Sequence, residues 1–251
     1  MAREVLPHAR EYATREYWEV RFKKETAHDW LCSFSQVRDL LQPYLGSPAT
    51  SRILILGNGT SLLPLELVSA GFSCVVATDY VLDVVETMRA RHAGTPIVWA
   101  CADALALTPN LGTFDVVIDK GVTDAIVSAE GDSWSPPPEA LAASHAVCRG
   151  VAALLEKGGR FVQISFSQPH FRAVHLLQHV SRGAPSSVPP PPPPLPSLLL
   201  AVAEDDGEFE PDLNPGASRP ALQSVAWSLW ATFEVLKVDA GLGYFCYVCV
   251  K

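Results

Sequence analysis

The stretch RILILGNGT, residues Arg52 to Thr60, decides the fold of this chain. Its apolar block, Ile53 to Leu56, is typical of a strand that is buried on both faces of a parallel sheet. Gly57 and Gly59 follow at once, and the residues from Ser61 onward predict a helix. This order indicates a nucleotide-binding site, because free helix N–H groups face the ligand and glycine has no side chain to block its approach.

The size and composition allow one large α/β domain or two small ones, since 48% of the 251 residues are hydrophobic. No apolar run approaches the roughly 18 residues that span a bilayer, so we expect no membrane partner. The first residues, MAREVLPHAREYATREYW, alternate Arg with Glu and lack the apolar region of a secretory signal. The expected location is therefore cytoplasmic.

The formal net charge of −8 argues against a nucleic-acid partner, which normally requires a basic face. An acidic protein suits a basic protein substrate. Six cysteines are scattered along the chain, and only Cys246 and Cys249 have CxxC spacing. In a strand, residues three apart point to opposite faces, so we expect no metal site there.

The N-terminal part, residues 1–50, predicts helices that precede the nucleotide-binding strand. Glu11 to Lys24 predict a charged helix with Trp18 and Phe22 on one face. A second helix is predicted from Ser33, as its N-cap, to Leu45. These helices are expected to form a lid over the site, or alternatively their aromatic residues are ordinary core anchors.

Further apolar segments predict strands that alternate with helices over Tyr80–His92 and Glu139–Glu156. The parallel strands are expected over Cys74–Thr78, Ile97–Ala100, Phe114–Ile118 and Arg160–Phe166. Two β-rich segments, Trp227–Lys237 and Gly243–Lys251, predict a terminal antiparallel hairpin with a turn around Gly241. The pattern predicts a doubly wound, mostly parallel α/β sheet in a single domain over residues 1–251.

Polar residues follow the carboxyl ends of successive predicted strands. They are Asn58, Asp79, Asp103 and Asp119. Open α/β sheets bind ligands in the crevice at these strand ends, so four such residues in step predict a binding site.

The identity of the ligand depends on the residues after Gly57. Asp79 lies 22 positions further on, close to the roughly 20 residues at which an acid meets a ribose hydroxyl in nicotinamide and S-adenosylmethionine sites alike. A dinucleotide loop, G-x-G-x-x-G, needs a third glycine for close helix–strand packing, and Leu62 stands there instead. The residues therefore favour S-adenosylmethionine.

Residues Gly183 to Leu222 interrupt the alternation of strands and helices. They contain six consecutive prolines, Pro189 to Pro194, and the acidic stretch EDDGEFEPD. Polyproline is stiff and solvated and cannot join a sheet, so residues 183–222 are expected to be a largely disordered surface insertion. The alternative is a docking ligand for a proline-binding domain at residues 189–196.

Several motifs occur in the order in which one family carries them. They are YWEVRF from Tyr17, HDW from His28, LGNGTS from Leu56, TDY from Thr78, FDVVIDKGVTDAI from Phe114 and PHFR from Pro169. The chain resembles the class I, seven-β-strand methyltransferases of the group that includes the elongation factor 1-alpha lysine methyltransferases. The resemblance implies a Rossmann-like seven-stranded sheet. It also implies S-adenosylmethionine-dependent methylation of an exposed protein lysine, with elongation factor 1-alpha as candidate substrate.

The resemblance also implies roles for individual residues. Asp79 would bind the ribose hydroxyls, while Tyr80, Asp103 and Ala104 would hold the adenine. The remaining donor-binding residues implied are Trp18, Phe22, Trp30, Gly57, Asn58, Gly59 and Lys120. Asp119 and Asp124 would be catalytic, with Asp119 facing the substrate channel.

Methyl transfer to lysine requires the amine to lose its proton, which costs roughly 4.6 kcal/mol at pH 7 from a pKa near 10.4. Asp119 or Asp124 would orient the amine or receive this proton. Alternatively, Asp124 caps the following helix, and Lys120 pairs with an acid of the crevice. Two other function classes stay open at this point, a small-molecule methyltransferase and a non-catalytic donor-binding scaffold.

Deletion of residues 183–222 should leave the fold intact, because a polyproline and acidic insertion buries little apolar surface. We expect the melting temperature to change by no more than about 2–4 °C, the shift that 1 kcal/mol produces in a chain of this size. Calorimetric melting of the deleted and full-length proteins measures this. A much larger fall would show that the segment packs on the sheet.

Overall fold

A computed structural model describes residues 9–129, 131, 133–177, 229–238 and 243–251. Within these residues the chain forms one sheet of seven strands in the order β3-β2-β1-β4-β5-β7-β6. The strands are β1 (Arg52–Leu56), β2 (Cys74–Asp79), β3 (Val98–Cys101), β4 (Phe114–Lys120), β5 (Leu155–Ser165), β6 (Thr232–Val238) and β7 (Tyr244–Val250). Strands β1 to β5 are parallel, and β7 runs antiparallel to both of its neighbours. The predicted sheet and its C-terminal antiparallel hairpin are therefore confirmed.

The helices cover both faces of this sheet. They are α1 (Arg15–Phe22), α2 (Phe34–Leu45), α3 (Leu63–Ser69), α4 (Leu82–Arg91), α5 (Val122–Val127), α6 (Pro138–Leu154) and α7 (Pro169–Leu176). In β1, Ile53 and Ile55 pack into a core with α2 and α3, whereas Leu54 and Leu56 pack into a core with α6 and α7. All four are at most 1% exposed, because both sides of the central strand are covered.

The predicted single helix over Glu11–Lys24 is wrong. A short 3₁₀ helix, Ala9–Ala13, comes first, and α1 begins only at Arg15. Thr14 separates the two in an extended conformation and accepts a hydrogen bond from the Tyr17 backbone N–H at 3.4 Å. Threonine favours this N-cap position because its hydroxyl replaces a missing helical acceptor. The chain therefore turns at Thr14.

Two other predicted boundaries differ from the structure. Helix α6 ends at Leu154 and β5 begins at Leu155, so the predicted extension to Glu156 belongs to the strand. Helix α3 begins at Leu63 instead of Ser61, since the intervening residues complete the turn after β1. By contrast, α2 keeps its predicted range, with Ser33 and Gln36 forming a capping box.

The predicted insertion, residues 183–222, and the proline segment 189–196 lie outside the described residues, as does the turn around Gly241. Among the described residues, no helix combines the length and apolar character required to cross a membrane.

Candidate functional site

A cavity of about 1230 Å³ opens at the carboxyl ends of the parallel strands. All of the residues that the sequence assigns to donor binding line this cavity. These are Trp18, Phe22, Trp30, Gly57, Asn58, Gly59, Asp79, Tyr80, Asp103, Ala104 and Lys120. Residues that follow the carboxyl ends of different parallel strands are therefore brought together around this cavity, as expected for an open α/β sheet.

The turn after β1 requires its two glycines for backbone and packing reasons. Gly57 and Gly59 have φ angles of +49° and +54°, in the left-handed region that glycine adopts without strain. A Cβ on Gly57 would lie 2.4 Å from Val122 Cγ2, and one on Gly59 would lie 2.9 Å from Phe22 Cε1. The N-terminal aromatic residue Phe22 therefore packs directly on the turn.

Asn58, between the glycines, holds the turn closed. Its backbone N–H donates to the Thr78 carbonyl at 2.7 Å, and its Nδ2 donates to the carbonyls of Gly59 and Ser61 at 3.2 and 3.1 Å. Its Oδ1 is buried and has no hydrogen-bond partner among the described residues. A buried acceptor without a partner costs free energy, and it marks this part of the cavity wall as a place for a ligand donor.

Asp79 joins the end of β2 to the same turn. Its Oδ2 accepts a hydrogen bond from the Gly59 N–H at 2.8 Å, and its Oδ1 accepts one from the Val81 N–H at 3.0 Å. Burial raises the pKa of Asp79 to about 6, although these backbone donors and Arg15 favour the charged form. Near neutral pH the cavity therefore presents a mostly ionised, largely buried carboxylate, which suits ribose hydroxyl donors.

Tyr80 and Asp103 complete this end of the cavity. The Arg15 guanidinium lies 4.4 Å from the centre of the Tyr80 ring and donates to the Tyr80 carbonyl at 2.6 Å. One oxygen of Asp103 accepts from the Leu105 N–H at 2.9 Å, so Asp103 caps a short 3₁₀ helix that begins at Ala104. Its other oxygen remains available for a ligand.

Aromatic residues of the N-terminal segment form a cluster that lines the cavity. Tyr12 lies 5.0–6.0 Å, between ring centres, from Tyr17, Trp18 and Trp30. The Trp18 ring centre lies 5.5 Å from that of Phe22 in a tilted arrangement, and Trp18 Nε1 donates to the Tyr12 carbonyl at 2.7 Å. Sequence reasoning missed Tyr12 because the predicted continuous helix gave it no separate position.

Asp29 ties this N-terminal segment to two strand ends. It accepts hydrogen bonds from the hydroxyl of Ser61, in the turn after β1, and from Lys120 Nζ at 3.2 Å, at the end of β4. Lys120 Nζ also donates to the Trp30 carbonyl at 2.8 Å. Lys120 therefore lines the cavity, and its ammonium pairs with Asp29 of the N-terminal segment, which does not line the cavity.

Two more polar contacts fasten the same segment. The Thr60 hydroxyl donates to Glu25 Oε1 at 2.5 Å, and the Arg91 guanidinium donates to the Thr26 carbonyl. Residues 25–30 are thus bonded to the glycine turn, to β4 and to α4. We call residues 9–32 the N-terminal cover.

Asp119 does not face the cavity, which corrects the expected position beside the substrate channel. Its carboxylate is fully buried and accepts hydrogen bonds from the Val122 N–H at 2.7 Å and the Thr123 hydroxyl at 2.5 Å. Gln163 Nε2, on the neighbouring strand, donates to it at 2.8 Å. Asp119 therefore shapes the turn into α5 and does not line the cavity.

Asp124 lines the cavity from inside α5, whose N-cap is Gly121, so the interpretation of Asp124 as a helix cap is wrong. It accepts from the Ser165 hydroxyl at 2.6 Å and from the Phe166 N–H at 3.3 Å, and it forms an ion pair with Arg172. Burial raises the pKa of Asp124, whereas Arg172 lowers it. Sequence reasoning missed Ser165 and Arg172, although Arg172 belongs to the quoted PHFR motif.

Metal ligands are not grouped near the cavity. Among the described residues, no cluster of three or more His, Cys, Asp or Glu side chains could hold an ion. The CxxC pair, Cys246 and Cys249, lies buried within β7. Burial raises the pKa of Cys246 to about 12, which opposes formation of the thiolate that binds metals.

Comparison with known proteins gives named relatives but no protein-family model that matches. The chain is 37% identical over 171 residues to EEF1A lysine methyltransferase 4 of Bos taurus, and the match covers 66% of each chain. The Mus musculus protein of that name is 37% identical over 172 residues, which are 67% of each chain. The match thus spans about two thirds of the length of these relatives.

Among solved structures, the N-methyltransferase NodS from Bradyrhizobium japonicum WM9 is 15% identical to this chain. The two align with a TM-score of 0.47 over 86% of this chain and 94% of that chain. This overlap is too low to bear on the site.

Asp79→Ala should weaken binding of S-adenosylhomocysteine about a hundredfold or more, because two ligand hydroxyls would lose a charged acceptor. Titration calorimetry measures the affinity. Asp79→Asn, which keeps an acceptor oxygen for one of the two backbone N–H groups, removes the charge with a smaller change to the turn. Asp83→Ala, an exposed acid on α4, is the matched control and should bind normally. Equal affinity in the Asp79 variants and the wild type would refute this ribose site.

Proposed function

The chain belongs to the EEF1A lysine methyltransferase family, and we propose that it transfers methyl groups from S-adenosylmethionine to lysine side chains of a protein. The observation that carries this proposal is the cavity itself. One cavity is lined by the glycine turn, the buried carboxylate of Asp79 and the aromatic residues of the N-terminal cover. Residues 1–251 would form a single methyltransferase domain with residues 1–50 as its lid.

The cavity wall fits the donor. Its volume of about 1230 Å³ exceeds the roughly 300–1,000 Å³ typical of small-molecule sites, so a second reactant has room beside the donor. The ionised Asp79 would accept from the ribose hydroxyls, and Asp103 from the adenine amino group. The unpartnered Oδ1 of Asn58 supports a hydrogen bond from the ammonium group at the other end of the donor.

S-adenosylmethionine supplies, when bound, a methyl group that its sulfonium already activates. The protein has therefore to position the acceptor, exclude water and accept a proton. The N-terminal cover would exclude water, since the aromatic side chains of Trp18, Phe22 and Trp30 line the cavity. The ion pair between Asp29 and Lys120 holds this segment against the end of β4. Lys120 would support donor binding indirectly, by holding the N-terminal cover in place, because its ammonium is already paired with Asp29.

Asp124 is the group that we propose to meet the acceptor amine. Asp124 lines the cavity and follows the end of β4 by four residues. Ser165, at the end of β5, and Arg172, in α7, fix the orientation of its carboxylate. A carboxylate held this way orients an amine by accepting its N–H. Arg172 pairs with Asp124, so its charge offsets the stabilisation that the carboxylate alone would give to the lysine ammonium, and Asp124 receives the lysine proton through water. We assign no such contact to Asp119, because Asp124 lines the cavity and the fully buried Asp119 does not.

The names of the relatives support translation elongation factor 1-alpha as the protein substrate, and a cytoplasmic location follows from that substrate. The net charge of −8 agrees with a basic acceptor segment. We also propose that residues 183–222 form a surface insertion outside the catalytic domain, with residues 189–196 available to a proline-binding partner.

The assay combines the pure protein, isotope-labelled S-adenosylmethionine and purified elongation factor 1-alpha. We expect label on the protein band, and peptide mass mapping should place it on lysine. Asp124→Asn should lower kcat at least about a hundredfold, in the range of general acid–base catalysis, while donor affinity stays within about twofold. Asp115→Asn, which alters a carboxylate remote from the cavity, controls for a general effect.

Each other outcome contradicts a definite part of this proposal. Label in the small-molecule fraction of a cytosolic extract, with none on protein, would indicate a metabolite methyltransferase. Donor binding without any transfer would indicate a scaffold. An unchanged kcat in Asp124→Asn would remove Asp124 from the reaction while leaving the activity in place.

A further inference from the structure

Three aromatic side chains pack together between the α5–α6 connection and α7, and two of them, His170 and Phe171, are half-buried. The Trp134 ring lies 5.3 Å from His170 and 4.8 Å from Phe171, measured between ring centres, and His170 and Phe171 lie 3.8 Å apart. Trp134 is nevertheless 80% exposed. We call Trp134, His170 and Phe171 the aromatic patch. A tryptophan that packs against two rings and keeps most of its surface exposed offers a rigid aromatic contact to a binding partner.

The patch is continuous with the acceptor end of the cavity. Ser133, directly before Trp134, lines the cavity, and so does Arg172, directly after Phe171. Phe166 lines it as well and is 59% exposed, which places its ring at the rim. The Phe166 N–H donates to Asp124, the acid proposed to meet the amine. A path thus leads from the patch across the rim to Asp124.

Trp134 itself stands outside the cavity wall formed by the described residues. A metabolite small enough to lie in the cavity would therefore meet Phe166 and Asp124 but would not contact Trp134. An acceptor that reaches both must be extended and must carry its amine on a long side chain. A lysine presented by the surface of a folded protein meets both requirements.

We propose that the aromatic patch docks the segment of the protein substrate that carries the acceptor lysine, and that Phe166 guides the lysine side chain toward Asp124. This inference rests on the proposed function and identifies how that substrate is recognised. Aromatic faces attract ammonium and guanidinium groups, so the patch suits a segment with basic residues next to the acceptor lysine.

The test compares three substitutions of Trp134 in steady-state methylation of elongation factor 1-alpha by the full-length protein. Trp134→Ala should raise KM about tenfold and change kcat by less than about threefold, because docking precedes the chemical step. Trp134→Phe should keep most of the affinity. Trp134→Leu, which keeps apolar area without a ring, should resemble Trp134→Ala.

The matched control is Val98→Ala, which trims another exposed apolar side chain, 56% exposed, on the edge strand β3. It should leave KM unchanged. Calorimetric affinity for S-adenosylhomocysteine and the melting temperature should be the same in all of these proteins, which separates docking from folding and donor binding.

The outcomes distinguish this inference from the function on which it rests. A wild-type protein without activity on elongation factor 1-alpha overturns the proposed substrate and, with it, the docking role. An active wild type with the same KM in Trp134→Ala overturns the docking role alone. If Trp134→Leu retains the wild-type KM, the patch binds the substrate through burial of apolar surface, and the proposed attraction of basic residues to its aromatic rings is wrong.

Discussion

The buried carboxylate of Asp79 holds the site together. It ends β2 and accepts the Gly59 N–H at 2.8 Å, so it fixes the glycine turn against the neighbouring strand. Burial costs the charged form free energy, as the pKa near 6 indicates, and two backbone donors offset part of that cost. The same constraint requires Gly59, since any side chain there would meet Phe22. The Asp79 carboxylate thus lines the cavity, fixes the conformation of the glycine turn, and holds in place the glycine on which Phe22 packs.

The cover adds a second constraint, because its residues come from a part of the chain that precedes the sheet. Asp29 accepts hydrogen bonds from both Ser61 and Lys120, and these bonds join residues 9–32 to the ends of β1 and β4. Leu31, the next residue but one, has φ of +67°, a strained conformation for a leucine that the surrounding bonds maintain. If these residues exclude water from the cavity, as proposed, they do so through the same few polar contacts.

Much of the sheet and most of the cavity could be predicted from the sequence, because both follow from short-range rules. Buried parallel strands show as apolar runs, and the strand-end rule brought Asn58, Asp79 and Asp103 to the cavity. The rule failed for Asp119, whose carboxylate turns inward to donors supplied by Thr123 and by Gln163 on another strand. The partners of Asp124 escaped prediction for the same reason, since Arg172 lies 48 residues away. Side-chain direction at a strand end depends on tertiary partners that periodicity does not encode.

A crystal structure of the full-length protein with S-adenosylhomocysteine tests the central claim most directly. We predict that the ribose hydroxyls lie within hydrogen-bond distance of the Asp79 carboxylate, with the adenine beside Tyr80 and Asp103. The sulfur should lie on the side of the cavity that faces Asp124 and Phe166. A ligand bound elsewhere, or a ribose away from Asp79 with the thioether directed from Asp124, would contradict the site described for this chain.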